Sequence, residues 1–206
     1  MRTAILKVGG SLFDLRDLGP RLQRVLSHID AERKVLFPGG GEAADIVRHW
    51  HQEHGLSDEQ SHWLAIHATG MNANLLSVIV PCRILSRREA LEIKGLNDSE
   101  IWAMAPWHFI FNADQAYSDA PPHVWDVTSD TLAAWTAIRW PAEELLLLKS
   151  VPCPVGRTAT EAVQAGLVDP YFPGYAGRLP RVSWCCLRDD EPTVVPWLEH
   201  GICVSR

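Results

Sequence analysis

Two rhythms of apolar and polar positions take turns along this chain. Ala4-Ile5-Leu6-Lys7-Val8 is a nearly continuous apolar run that stops at glycine, which predicts a buried strand. From Leu15 to Ile29 the residues Leu18, Leu22, Val25, Leu26 and Ile29 fall at helical spacing. Lys34-Val35-Leu36-Phe37 predicts a second strand, and Glu42 to His54 a helix closed by Gly55, the residue type suited to a left-handed helix end. Ser57-Asp58-Glu59-Gln60 has the form of a capping box. It opens a helix whose inner face reads as Trp63, Ile66, His67, Gly70, Met71 and Leu75.

The second half continues the alternation. Val78 to Val80 runs into Pro81, and Arg83-Ile84-Leu85 predicts a strand; Lys94 to Asp98 reads as a turn within Glu89 to Met104. Trp107 to Phe111 and Val124 to Val127 predict strands on either side of the loop-like Ser118 to Pro122. Thr128-Ser129-Asp130 opens a helix that runs to about Arg139. Leu145 to Lys149 is apolar enough for a central parallel strand. A short helix over Thr160 to Ala165, a strand over Val182 to Leu187, and a helix and strand over Val194 to Val204 complete the reading. Such alternation predicts an α/β fold, a three-layer αβα sandwich with a mainly parallel central sheet.

Composition narrows the partners. With 206 residues and 47% hydrophobic content the chain can bury one substantial core, so a single domain over 1–206 is expected. A formal charge of −6 and a pI near 5.8, without any Lys/Arg run, leave no footprint for a nucleic-acid backbone and point to a small-molecule partner. No basic and apolar stretch precedes the strand at Thr3, and no apolar run approaches the roughly 20 residues of a membrane span, so a cytoplasmic protein is expected. Cys82, Cys153, Cys185, Cys186 and Cys203 are odd in number and lack C-x-x-C spacing, which predicts free thiols.

The candidate chemistry sits where strands end. Lys7-Val8-Gly9-Gly10-Ser11-Leu12 closes the first strand and Pro38-Gly39-Gly40-Gly41 the second. Glycine permits close backbone approach to a phosphate, and a helix N-terminus aims free N–H groups at an anion. Lys7 and Lys149 both end predicted strands, and in an open α/β sheet such ends share one edge, so the two charges can meet at one site. Asp130, in the first turn of its helix, is placed to hold both ammonium groups in line. Phosphoryl transfer asks a protein mainly for positioning and positive charge, although neither glycine loop has the Walker form. Each element also has a plain structural reading: Lys7 as a solvated strand end, Gly39 to Gly41 as a tight turn, Asp130 as an acid favoured by the helix dipole.

Arg48 and Asp45 share a helix face at i,i+3 spacing. They offer a fork for a phosphate or carboxylate and an acid for an amine, or else form a surface ion pair of little energy. Among the nine histidines, His49 and His51 point to different helix faces and no H-E-x-x-H occurs, so no metal ligand set is expected. His67 is expected to be a hydrogen-bonded core residue. The nine tryptophans are expected mostly to pack, with Trp125, near Asp130, also a candidate wall for a flat ring.

In their order along the chain these motifs resemble the amino acid kinase family, which includes acetylglutamate, aspartate, uridylate and isopentenyl phosphate kinases. The resemblance covers roughly residues 3 to 150. It rests on Lys7 to Leu12, on Pro38 to Gly41 followed by Ala44-Asp45-Ile46-Val47-Arg48, and on Ser129 to Ala134 followed by the strand Leu145 to Leu148. Trp125 to Asp130 and Gly166 to Pro170 are similar to segments of a subgroup of small kinases of methanofuran biosynthesis, which phosphorylate aminomethylfuran-methyl phosphate. The resemblance implies transfer of a phosphoryl group from ATP, with Mg2+, to a small anionic acceptor, and it leaves room for a homo-oligomer. It implies catalytic roles for Lys7, Asp130 and Lys149, and phosphate or substrate binding by Gly9, Gly10, Ser11, Gly39, Gly40, Gly41, Asp45 and Arg48. It divides the chain into an acceptor half over about 1–140 and a shortened nucleotide half over about 141–206. Many family members follow the Leu145-type strand with Thr-Asp-Val-Asp-Gly; this chain reads Lys149-Ser150-Val151-Pro152-Cys153-Pro154. Two other readings stay open: a carboxylate kinase forming an acyl phosphate, and a non-catalytic nucleotide- or oxyanion-binding protein.

Overall fold

The computed structural model describes residues 2–92 and 100–199. Its strands are β1 (Thr3–Val8), β2 (Arg33–Pro38), β3 (Arg83–Ile84), β4 (Ile101–Ala103), β5 (Glu144–Lys149), β6 (Arg181–Cys186) and β7 (Val195–Glu199). They form one sheet in the order β3-β4-β2-β1-β5-β6-β7, parallel throughout except for the pairing of β7 with β6. The helices are α1 (Leu18–His28), α2 (Gly41–His54), α3 (Asp58–Ile79), α4 (Arg87–Leu91), α5 (Pro106–Ala116), α6 (Ser129–Arg139), α7 (Ala159–Gln164) and α8 (Phe172–Ala176). They cover both sheet faces, as the strand and helix rhythm predicts.

Side-chain alternation in the strands decides what each helix layer meets. Ala4, Leu6 and Val8 of β1, with Leu146 and Leu148 of β5, pack on Leu22, Val25 and Leu26 of α1 and on Leu76 of α3. The intervening residues Ile5, Leu145 and Leu147 face the opposite way, onto Phe109 and Ile110 of α5, Leu132 to Trp135 of α6, and Phe172 of α8. Because a strand repeats every two residues, Lys7 and Lys149 share this second face. Both therefore end their strands pointing toward the layer that contains α6.

Several expectations are corrected. Trp107 to Phe111 lies in α5: Pro106 sits at its first turn, and the buried positions Pro106, Phe109, Ile110 and Ala113 follow a helical repeat that aromatic β-propensity obscured. Val124 to Val127 is a loop held by turns, with the Val127 N–H donating to the Val124 carbonyl at 3.1 Å. On α3 the buried face is Ser61, His62, Ile66, Thr69, Asn72, Ala73 and Leu76, while Met71 and Leu75 are exposed. His67 is exposed and stacks on Trp107 at 3.7 Å rather than lying hydrogen-bonded in the core. Residues 195–199 form strand β7 and not a helix, and β4 and α8 were not anticipated. The turn read over Lys94 to Asp98, Cys203, and the rest of the C-terminal reading lie outside the described residues. Among the described residues no helix is long and apolar enough to cross a membrane.

Candidate active site

The carboxyl ends of β1, β2 and β5 meet at one edge, and α6 presents its first turn to them. Asp130 is 4% exposed there and sits between two ammonium groups. Lys7 Nζ lies 2.7 Å from Oδ1, an ion pair whose direction misses hydrogen-bond geometry, and Lys149 Nζ donates to Oδ2 at 2.6 Å. Lys149 donates a second time to the Leu167 carbonyl at 2.8 Å, which leaves one N–H of the ammonium for another acceptor. Burial alone would raise the Asp130 pKa, but the charges of Lys149 and Lys7 hold it well below the usual carboxylate range. Lys149 moves the other way. Its burial outweighs the attraction of Asp130, and with repulsion from Lys7 the ammonium pKa comes down to about 8.

A second carboxylate holds the first in place. Asp169 is buried and accepts from the backbone N–H and hydroxyl of both Thr128 and Thr131, and from the N–H groups of Tyr171 and Phe172. Thr128 caps α6 by accepting from the Asp130 N–H. Asp169 thus ties the start of α6 to the start of α8, and through Thr128 and Thr131 it fixes the turn that carries Asp130. It lies in the Gly166 to Pro170 segment singled out above, without a role assigned there.

The two glycine turns touch each other. A Cβ on Gly10 would come within 2.4 Å of the Gly41 nitrogen, and Gly41 has a φ of +51°, so neither position admits a side chain without displacing backbone. The Asn72 amide of α3 donates to the carbonyls of Gly39 and Gly40, each at 2.8 Å, which fixes the second turn. Ser11 donates to Ser150 at 3.0 Å and so links the first turn to the segment after β5. Gly9 packs on β5, its N–H donating to the Leu148 carbonyl at 2.8 Å.

A cavity of about 620 Å³ opens beside these turns. Its walls come from Gly10, Gly40 and Gly41, from Ile66 and Asn72 of α3, and from Trp125 in the loop before α6. Asp45 and Arg48 also line it; their exposed ion pair spans 2.5 Å, and the Arg48 guanidinium lies 5.3 Å from the Trp125 ring centre. A smaller recess of about 300 Å³ is lined by Asp130, Lys149, Asp169 and Gly166, together with Trp125 and Thr128. The loop carrying Trp125 and Thr128 therefore borders both spaces, and Asp130 and Lys149 line the smaller one.

Sequence reasoning missed Asn72, Arg188 and the part played by Asp169, and it weighed His62 only as a metal ligand. Arg188 lines the larger cavity and donates to the Ser11 carbonyl at 2.9 Å and to the Asp14 carboxylate at 2.7 and 2.8 Å. Among the described residues no three His, Cys, Asp or Glu side chains converge as a metal site.

The amino acid kinase family model matches residues 2–152. The chain belongs to that family. Its sequence is similar to that of the [5-(aminomethyl)furan-3-yl]methyl phosphate kinase of Methanocaldococcus jannaschii, 26% identical over 149 residues. That match covers 71% of this chain and 65% of the archaeal protein, so the chain spans less than two thirds of its relative's length. Solved structures share the fold. Uridylate kinase from Archaeoglobus fulgidus aligns with a TM-score of 0.58 at 20% identity, covering 88% of this chain and 89% of its own. Aspartate kinase from Synechocystis aligns with a TM-score of 0.64 at 14% identity, covering 97% of this chain and 40% of its own.

The anchor in this family member can be tested directly. Asp169→Ala strands several buried donors at once, so it is expected to lower the unfolding free energy by more than about 2 kcal/mol. Urea titration of the variant checks this, and a loss below about 0.5 kcal/mol would show that α6 is held by other contacts.

Proposed function

We propose that this chain is an ATP-dependent kinase that transfers the γ-phosphoryl group of Mg-ATP to a small anionic acceptor, most specifically the phosphate of an aminomethylfuran-type compound. The observation that carries the reading is the buried Lys7–Asp130–Lys149 cluster, of which Asp130 and Lys149 line the smaller recess. A phosphoryl group in transit spreads negative charge over its oxygens, and fixed positive charge lowers that barrier without reorganisation. Asp130 keeps both ammonium groups at one point, and its single carboxylate leaves the cluster with a net positive charge.

In this reading the recess beside Lys149 and Gly166 takes the nucleotide phosphates, and the larger cavity takes the acceptor. Gly9, Gly10, Ser11 and Gly39 to Gly41 hold phosphate oxygens through close backbone approach. Mg2+ enters with ATP as part of the substrate. The phosphorylated-furan acceptor is supported by the similarity to the archaeal kinase named for that substrate. Carboxylate transfer to an acyl phosphate and nucleotide binding without catalysis are the competing readings. A cytoplasmic setting and one folded domain with acceptor and nucleotide halves belong to the same proposal.

The outer side of α3 supports the homo-oligomer. Leu64, Met71, Leu75 and Val78 are exposed, with Ala68 half-buried between the first two, and their alternating four- and three-residue spacing is that of a helix-packing seam. We assign this seam to a second copy of the chain, which would extend the cavity wall that Met71 and Leu75 already form.

Three measurements test these statements. ATP consumption against phosphorylated and carboxylated acceptors should show transfer to the aminomethylfuran phosphate and no hydroxamate with hydroxylamine. Lys7→Ala should lower that rate by ~10²–10³, and wild-type turnover in the variant would remove Lys7 from the chemistry. The second is a pH profile. Lys149 is a cation only below its pKa of about 8, so kcat/KM should fall as pH rises through that value. Lys149→Arg, which keeps its charge, should lose that alkaline limb; a limb that persists unchanged in the variant belongs to another group. Third, sedimentation should show a dimer that Leu64→Glu with Val78→Glu dissociates, and a monomeric wild-type chain would refute the seam.

A further inference from the structure

One histidine of the larger cavity has no hydrogen-bond partner among the described residues. His62 is 7% exposed and lines the cavity, yet among the described residues no hydrogen bond reaches its ring. Its surroundings are built rather than incidental. The ring stacks on His123 with centres 4.6 Å apart and planes 19° apart, and the Trp63 ring meets it edge-on at 5.1 Å. His123 in turn contacts Asp114 at 2.9 Å through Nε2 and faces Glu59 at 3.8 Å through Nδ1. The imidazole is thus clamped between rings and backed by two carboxylates. Arg48, a cation in the same cavity wall, is already paired with Asp45.

Position along α3 gives the clamp its meaning. Asn72, on the same helix face, donates to the carbonyls of Gly39 and Gly40, at the proposed phosphate-holding turn that borders the same cavity. His62 precedes it by ten residues, about 15 Å along the helix axis at 1.5 Å per residue. Ile66 and Thr69 line the wall between them. A ligand lying along this wall has an anion site at one end, an apolar stretch in the middle, and at the other an imidazole that no protein group hydrogen-bonds, with carboxylates behind it.

We propose that His62 is a specificity-determining residue of the acceptor cavity, its ring nitrogen accepting a hydrogen bond from an amine that the acceptor carries at the end remote from its phosphate. The assignment rests on the phosphorylated-acceptor reading above and deepens it. An unprotonated imidazole offers a lone pair to an ammonium group, and a protonated one would repel it. Burial, with the neighbouring His123, brings the His62 pKa down to about 4, so the ring is neutral at physiological pH. Asp114 and Glu59 make the field behind it favourable to a positive charge. An acceptor with a methyl group in place of the amine would displace water from the ring nitrogen without replacing its hydrogen bond, which is the kind of discrimination a hydrogen-bonding pocket achieves and an apolar one does not.

The test compares two acceptors in wild-type protein and in His62→Phe, which keeps a ring to stack on His123. The probes are [5-(aminomethyl)furan-3-yl]methyl phosphate and the same phosphate with methyl in place of aminomethyl. Wild-type protein should prefer the amine by roughly 10- to 100-fold in kcat/KM, the range set by one hydrogen bond to a charged group. In His62→Phe the preference should collapse toward one, chiefly through KM for the amine, while KM for ATP is unmoved. The ratio is independent of how much active protein the variant yields, and His62→Gln should restore part of it. In wild-type protein the imidazole 15N resonances of His62 should move on adding the aminomethyl probe and stay with the methyl one. A preference that survives in His62→Phe, or no preference in wild-type protein, overturns the assignment alone. Transfer to neither probe by wild-type protein that still binds ATP overturns the furan-phosphate reading and this assignment with it.

Discussion

One buried carboxylate shared by two ammonium groups is the constraint on which the site depends. Removing Asp130 would leave Lys7 and Lys149 as like charges in a space from which water is largely excluded, and neither would hold its place. The arrangement is costly to build. Three ionised groups must be desolvated together, and the fold offsets this by supplying Lys149 with the Leu167 carbonyl and the start of α6 with Asp169. The strain of assembly is therefore distributed over β1, β5, α6 and the loop before α8, all of which must be in register for the cluster to exist.

Register is also what makes the cluster readable. The two-residue repeat of β1 and β5 puts Lys7 and Lys149 on one face, and parallel pairing puts both strand ends at one edge, with Val8 beside Leu148. These are local properties of short apolar runs, so the strands, both glycine turns and the helix beginning near Asp130 could be read directly from the chain. The misreadings arose where local and tertiary preferences diverge. Trp107 to Phe111 is rich in aromatic residues that favour strands, yet Pro106 and the buried Ile110 and Ala113 commit it to a helix. On α3 the polar residues Ser61, His62, Thr69 and Asn72 occupy the inner face because they meet a cavity and a glycine turn there, and hydrophobicity alone selects the wrong side.

Arg188 and Asp169, which local spacing does not reveal, share a different trait: their partners are far away in sequence. Arg188 reaches Ser11 and Asp14 from the other end of the chain, and Asp169 binds Thr128 and Thr131 from a loop beyond β5. No spacing rule connects such pairs. Likeness of the Gly166 to Pro170 segment to family relatives marked the region, but only the fold shows that its aspartate faces six donors.

The two margins of the sheet differ from its middle. On one side β3 is only two residues long; on the other, β7 runs antiparallel to β6, carries Pro196 and shifts register between Val182 and Ser183. A proline offers no N–H to an incoming strand, and a two-residue edge offers almost no template, so both borders resist growth by strand addition. In the dimer proposed above, contact between copies would thereby fall to side-chain packing between helices rather than backbone pairing, a mode that would leave the edge where the strands end open to solvent.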